Sequence, residues 1–271
     1  MQHPTEIIPG LLFFSYLASA RKEKVGFFED CALVLQVSGQ MTFEAGSHKI
    51  TTKRGEFLLI RRNQLAELTK QPLPGENYQT MVIRLKEDLL RQVALEEQFT
   101  ASAKYQGPSA IIIPANDFLQ GFFQSIMPYA RHPEQHQLSS TLGILKVKEA
   151  VQLLLHSMPS LKDFLFDFSE PHKIDLEKFM LTNYHFNINI DKFAQLTGRS
   201  LAAFKRDFQK IFNASPRQWL QEKRLMEAKQ LIERKQLKPS AIYLDLGFES
   251  LSHFSHAFKK KFGKTPSDWA V

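Results

Sequence analysis

The sequence predicts an α+β chain of two domains, the first β-rich and followed by a pair of helices, the second all-α. Three observations carry this. Residues 8 to 110 alternate short apolar runs with glycines, residues 116 to 165 switch to helical spacing, and residues 200–219 recur fifty positions later.

In the first region ALVLQVSGQMTFEAGSHKITTKRGEFLLIRRNQ sets β-branched and apolar runs between Gly39, Gly46 and Gly55. QPLPGENYQ (71–79) reads as a loop and TMVIRL (80–85) as a further strand. Many short strands with glycine turns predict a sandwich or barrel. KEDLLRQVALEEQF then reads as a helix over one end. Next, FLQGFFQSIM and LGILKVKEAVQLLLHSM place apolar residues three and four apart, which predicts two helices. Ile144, Val147, Val151, Leu154 and Leu155 give the second a broad apolar face. That face suits either packing within the same chain or a two-fold dimer contact through 116–165. FSEPHKI (168–174) holds a proline and turn-forming residues between periodic segments. The expected domains are therefore 1–112, β-rich; 113–167, the helical pair; 168–174, a linker; and 175–271, all-α.

Charge divides at the same place. The net charge is +7 over 271 residues. Residues 172–271 hold 18 Lys and Arg against 10 Asp and Glu, a balance of +8; residues 1–171 hold 17 against 18, a balance of −1. A basic domain beside a near-neutral one suggests a polyanion-binding half and a half with other work. A single cysteine, Cys31, excludes an intrachain disulfide framework and suits a reducing cytoplasm. The apolar run near the N-terminus has no cationic segment before it and reads as structure, and no run is long enough to span a bilayer.

SLAAFKRDFQKIFNASPRQW (200–219) lies over SLSHFSHAFKKKFGKTPSDW (250–269) without a gap, with eight of twenty positions identical. Ser200/Ser250, Leu201/Leu251, Phe204/Phe254, Phe208/Phe258, Lys210/Lys260, Phe212/Phe262, Pro216/Pro266 and Trp219/Trp269 are the pairs. A lone phenylalanine stripe is an ordinary core face, but here the same core is specified twice. Each copy has the parts of a helix-turn-helix. IDKFAQL (190–196) is a short helix, TGR a turn, and Ser200 a cap for a helix burying Leu201, Phe204, Phe208 and Ile211. In the second copy Ser240 is placed to cap AIYLDL, Gly247 supplies the turn, and Ser250 caps the next helix. PRQWLQEKRLMEAKQLIERK (216–235) connects the copies as a helix of about five turns.

With the phenylalanines inward, Ala202, Ala203, Lys205, Arg206, Gln209 and Lys210 face outward, as do Ser252, His253, Ser255, His256, Lys259 and Lys260. Short side chains at the helix start and donors beyond them fit a major groove of double-stranded DNA. Lys205, Arg206, His253 and His256 are the expected base-edge readers, with Ala202 and Ser252 as close contacts. Lys210, Lys259, Lys260 and Lys264 are expected on phosphates, together with the capping Ser200 and Ser250. His253 and His256 stand three apart, but no third ligand completes a zinc set.

These residues resemble the DNA-binding domain of the AraC/XylS family of transcription regulators. RLMEAKQLI (224–232), I-Y-L-D-L-G-F (242–248), Phe254, FKKKFG (258–263) and Thr265-Pro266 resemble its signature, and FAQLTGRSLAAFKRDFQKIF its first unit. The resemblance covers 175–271. It implies two helix-turn-helix units on one connecting helix, an asymmetric DNA site, activation of transcription with RNA polymerase as a partner, and reading positions at Ala202, Lys205, Arg206, Ser252, His253 and His256. Tyr243 and His256 depart from the common alanine and arginine, which alters the packing expected of the second unit and its guanine contact. More loosely, GEFLLIRRN resembles a strand and turn of cupin-like β-barrel sensor domains. That implies an N-terminal cupin-like regulatory barrel taking a small-molecule or protein effector. Phe43, Phe57 and Tyr78 would line such a barrel, although each also reads as plain core. Only His48 of a cupin metal set falls in the relevant stretch, so no metal and no cofactor is expected. Two other readings stay open: a non-specific architectural DNA binder, and a barrel enzyme with an accessory basic domain. The second finds no organised catalytic constellation.

Overall fold

The computed structural model describes residues 5–101, 103–131, 140–169 and 171–269. Residues 132–139, between the two expected helices, and Glu170, within the expected linker, lie outside the described residues. The chain divides into two compact units, 1–169 and 170–271.

The first unit holds ten strands and four helices among the described residues. In chain order they are β1 (Thr5–Ile8), β2 (Leu12–Leu17), β3 (Arg21–Phe28), β4 (Cys31–Ser38), β5 (Gln40–Ala45), β6 (His48–Thr52), β7 (Phe57–Ile60), β8 (Gln64–Gln71) and β9 (Tyr78–Leu85). Then come α1 (Glu87–Glu96), β10 (Ala110–Ile113), α2 (Asp117–Arg131), α3 (Ser140–Ser157) and α4 (Leu161–Phe166). The strands form a six-stranded sheet, ordered β1-β2-β9-β4-β7-β10, and a four-stranded sheet, ordered β3-β8-β5-β6. All the pairings are antiparallel.

Period-two alternation sorts the six-stranded sheet's side chains onto two faces. Ala32, Val34, Leu58, Ile60 and Tyr78 pack with Met41, Phe43, Ala66 and Leu68 of the other sheet. Cys31, Leu33, Phe57, Leu59, Met81, Ile83 and Leu85 face the other way, onto Leu90 and Val93 of α1, Leu119, Phe122, Phe123 and Ile126 of α2, and the inner face of α3. Because both faces are covered, FLLI of β7 is buried at every position. Tyr78 and Phe43 therefore sit between the sheets, but Phe57 does not: it lies on the helix-facing side, 5.4 Å from the Phe123 ring.

Val147, Val151, Leu154 and Leu155 are buried within this unit, so the apolar face of α3 is spent on its own chain. The helical pair gains a third member, α4, whose Phe164 and Leu165 join the same core. At the unit's end Asp167 accepts hydrogen bonds from Arg61 Nη2 (2.7 Å), the Tyr105 N–H (3.0 Å) and the Ser169 N–H (3.0 Å). Arg62 pairs with Glu87 and donates to the Asp167 carbonyl, and the guanidinium groups of Arg62 and Arg91 lie over the Phe168 ring. A charged clamp thus holds the chain just before it leaves the unit.

The second unit is all helical: α5 (Leu176–Asn183), α6 (Ile190–Leu196), α7 (Leu201–Phe212), α8 (Pro216–Lys235), α9 (Pro239–Ile242), α10 (Leu251–Phe262) and α11 (Pro266–Trp269). Leu225, Ala228 and Ile232 of α8 pack on Ile242, Leu246, Phe248, Phe254 and Phe258. Toward the start of α8, Trp219 packs edge-on against Phe208. The connector therefore carries one helix-turn-helix on each half of its length. Ser240 is not a cap. α9 begins at Pro239, with Lys238 at the cap position, because proline's fixed φ and missing N–H suit the first helical position.

Candidate nucleic-acid interface

The two copies of the repeat build the same object. Ser200 Oγ accepts from the Ala203 N–H at 3.3 Å, and Ser250 Oγ from the His253 N–H at 3.2 Å. Each serine satisfies a donor that the helix start leaves open. α7 and α10 are twelve residues each, and both end on a left-handed residue, Asn213 in one and Gly263 in the other. Asn and Gly are the residues that tolerate that conformation, so this non-identical pair is matched in chemistry. Ser215 and Thr265 are another such pair: each side-chain oxygen accepts from a backbone N–H three residues on, of Gln218 and Asp268.

Inside each copy the aromatic residues form a continuous seam. Phe204–Phe208–Phe212–Trp219 has ring separations of 5.5, 4.4 and 4.5 Å, and Phe254–Phe258–Phe262–Trp269 has 5.8, 4.6 and 5.8 Å. Phe204, Phe208, Phe254 and Phe258 are fully buried. Leu201 and Ile211, expected inside, are instead 40% and 44% exposed, and Leu251 is 39% exposed. They lie at the helix ends, beside the i, i+4 seam and past the neighbours that cover it.

The outward faces carry the expected readers. Ala202, Lys205, Arg206, Ser252, His253 and His256 are all exposed, as are Ser200, Lys210, Ser250, Lys259, Lys260 and Lys264. Lys205 and His253, one from each copy, line a single groove of about 1210 Å³ between the copies, together with Gln209, Arg217 and Glu249. Arg206 lies outside that lining, with its nearest carboxylate, Asp207, 3.8 Å away. Asp207 is otherwise engaged. It accepts from Arg199 Nε at 3.1 Å and pairs with Lys173 at 3.5 Å, and these partners, Arg199 foremost, hold its carboxyl below the ordinary range.

Two cations escape the outward-face pattern. Arg199, only 8% exposed in its side chain, donates to Asp207 and to the carbonyls of Ile174 (2.9 Å) and Thr197 (2.7 Å). Arg224 donates to three carbonyls: Tyr184 (2.8 Å), Phe186 (2.8 Å) and Gly247 (2.9 Å). The available signal is positional. Arg224 stands four after Leu220 and four before Ala228, both buried, so it falls within the helix's inward stripe. Among the described residues no group of three or more His, Cys, Asp or Glu is placed to hold a metal ion. Nor is any described helix long and apolar enough to cross a membrane.

Residues 193–270 match a family model described as a helix-turn-helix domain, and residues 31–165 one described as the ExsA N-terminal regulatory domain. Over 246 residues the chain is 28% identical to the virulence regulon transcriptional activator VirF of Yersinia enterocolitica, covering 87% of each chain. It is 26% identical to the thermoregulatory protein LcrF of Yersinia pestis, again over 87% of each. To the HTH-type transcriptional regulator ExsA of Pseudomonas aeruginosa it is 26% identical, over 85% of this chain and 82% of that one.

Proposed function

We infer that this chain, which belongs to the AraC/XylS family of transcriptional regulators, is a transcriptional activator that reads two successive major-groove segments with α7 and α10. Ala202, Lys205 and Arg206 contact bases in one segment, and Ser252, His253 and His256 in the next. Ser200, Lys210, Ser250, Lys259, Lys260 and Lys264 hold the phosphates. The cap serines can do both, since a hydroxyl that accepts from a backbone N–H still has its own hydrogen to donate.

One observation carries this reading. Two capped helices, built on matching aromatic seams, expose these side chains, and Lys205 and His253 share one groove. A single connector helix positions both readers, so one chain addresses both segments. The chain is not an enzyme: the relatives it matches along most of its length are a transcriptional activator and a transcriptional regulator.

The first unit supplies control. We take its two sheets as a cupin-like barrel that senses a small molecule or binds a protein partner. Either would act by favouring one arrangement of the chain over another, and so change engagement of DNA or RNA polymerase. A homodimer through 116–165 would use the outward side of α3, where Leu145 is 56% exposed, because the inner side is already covered. The site of action is the cytoplasm.

The experiment is genome-wide occupancy mapping followed by gel shifts on a recovered site, with Arg206→Ala beside the native chain. The reading expects Arg206→Ala to lose discrimination between the site and random duplex while keeping most non-specific affinity. Equal native affinity for every duplex would make the chain an architectural binder instead.

A further inference from the structure

The residues linking the two helix-turn-helix copies form a three-way junction. Arg224 lies near the middle of α8, between the half that carries the first copy and the half that carries the second. Its guanidinium engages the turn after α5 through Nε to the Tyr184 carbonyl and Nη2 to the Phe186 carbonyl. Nη1 goes to the Gly247 carbonyl, in the turn between α9 and α10. A planar fork with donors on separate atoms suits three carbonyls approaching from two directions, which a lysine's single ammonium does not. Burial lowers the guanidinium pKa to about 10, which leaves it charged at neutral pH.

Gly247 completes the junction. Its φ is +79°, and a Cβ there would sit 2.5 Å from the His185 carbonyl oxygen and 2.9 Å from Arg224 Cζ. The two copies meet backbone to backbone at this point, with no room for a side chain. Asn187 adds a weaker link, its amide 3.5 Å from Glu249. Beyond the junction α8 ends at Lys235, and Gln236 is left-handed at φ +51°, so the chain reaches the second copy through an irregular segment.

We propose that Arg224 and Gly247 set the spacing and rotational phase of the two reading helices, and so determine which separation of half-sites the chain accepts. This rests on the reading of α7 and α10 as the DNA readers. Arg224 gives its donors to backbone carbonyls and so acts as a positioning residue. Each base pair inserted between half-sites moves the second segment by about 3.4 Å and turns it by about 35°. A rigid pair of readers follows neither change, whereas a loosened pair follows both.

The test starts from a bipartite site selected by the full native chain from random duplexes, then remade with one base pair inserted or deleted between its halves. The native chain should lose about tenfold or more on either change, the scale of one spoiled base contact. Arg224→Ala should shrink that penalty several-fold while keeping sequence preference within each half. A merely destabilised protein would lose affinity equally at every spacing. Should Arg224→Ala not fold, as checked by circular dichroism, Arg224→Lys and Gly247→Ala carry the same expectation. Undiminished spacing discrimination in the folded variants overturns the proposal, as does a native chain that prefers a sequence but is indifferent to spacing. A native chain with no sequence preference overturns both this proposal and the DNA-reading function beneath it.

Discussion

Ser200 and Ser250, fifty residues apart, occupy the same place in two helices: each Oγ accepts the N–H three residues on, at 3.3 and 3.2 Å. Neither bond is reinforced by a first-turn acidic residue, which would otherwise favour the helix N-terminus. Ser200→Ala and Ser250→Ala should therefore each cost about 1 kcal/mol. Urea unfolding of each variant measures this, read as a shift in midpoint at unchanged slope.

The aromatic seams bear most of each unit's packing. Phe208→Ala or Phe258→Ala removes a fully buried ring in contact with its two phenylalanine neighbours and a tryptophan, and should cost roughly 3–5 kcal/mol. Limited trypsin digestion checks it. Phe258→Ala should expose early cuts after Lys259, Lys260 and Lys261, and Phe208→Ala after Lys205, Arg206 and Lys210.

Base reading and phosphate binding separate under salt. Lys260→Ala should weaken binding to every duplex alike and lower the slope of log affinity against log salt by about 1. Arg206→Ala should cost about 1–3 kcal/mol on the selected site, chiefly as lost discrimination. Fluorescence anisotropy on specific and random duplexes over a salt series distinguishes the two.

The clamp at Asp167 predicts a pH signature in the first unit. Burial alone would raise this carboxyl's pKa, but the bonds from Ser169, the Tyr105 N–H and Arg61 outweigh it, and the net shift is downward. A carboxyl whose folded pKa lies below its unfolded value adds stability above the unfolded value and loses it as pH falls through the folded one. Asp167→Asn should therefore cost about 2 kcal/mol near pH 7. That difference should shrink as pH drops below about 4, the ordinary carboxylate range. Thermal melts of both proteins from pH 7 to pH 3 measure the convergence.

Particular residues show what was legible from sequence. The repeat placed Phe204, Phe208, Phe254 and Phe258 correctly because helical period and pairwise identity report the same seam. Leu201 and Ile211 fell outside it, since period alone does not say where a helix runs past its neighbours. Arg199 and Arg224 were missed for a different reason. Arg224's partners are all backbone carbonyls of distant turns, and Arg199 adds the carbonyls of Ile174 and Thr197 to its pairing with Asp207; a carbonyl carries no sequence signature. In the first unit FLLI of β7 is buried on both faces, so it lacks the alternation that would have told Phe57's side from Leu58's. α4, six residues long, is too short to show a period.

The proposed function places α7 and α10 in neighbouring major-groove segments of one duplex. Guanine-N7 methylation interference on a selected site, with the native chain, Arg206→Ala and His256→Ala, tests it most directly. Two clusters of interference about 10 base pairs apart on one face are expected, with Arg206→Ala altering one cluster and His256→Ala the other. A single cluster, or both variants altering the same one, would contradict it.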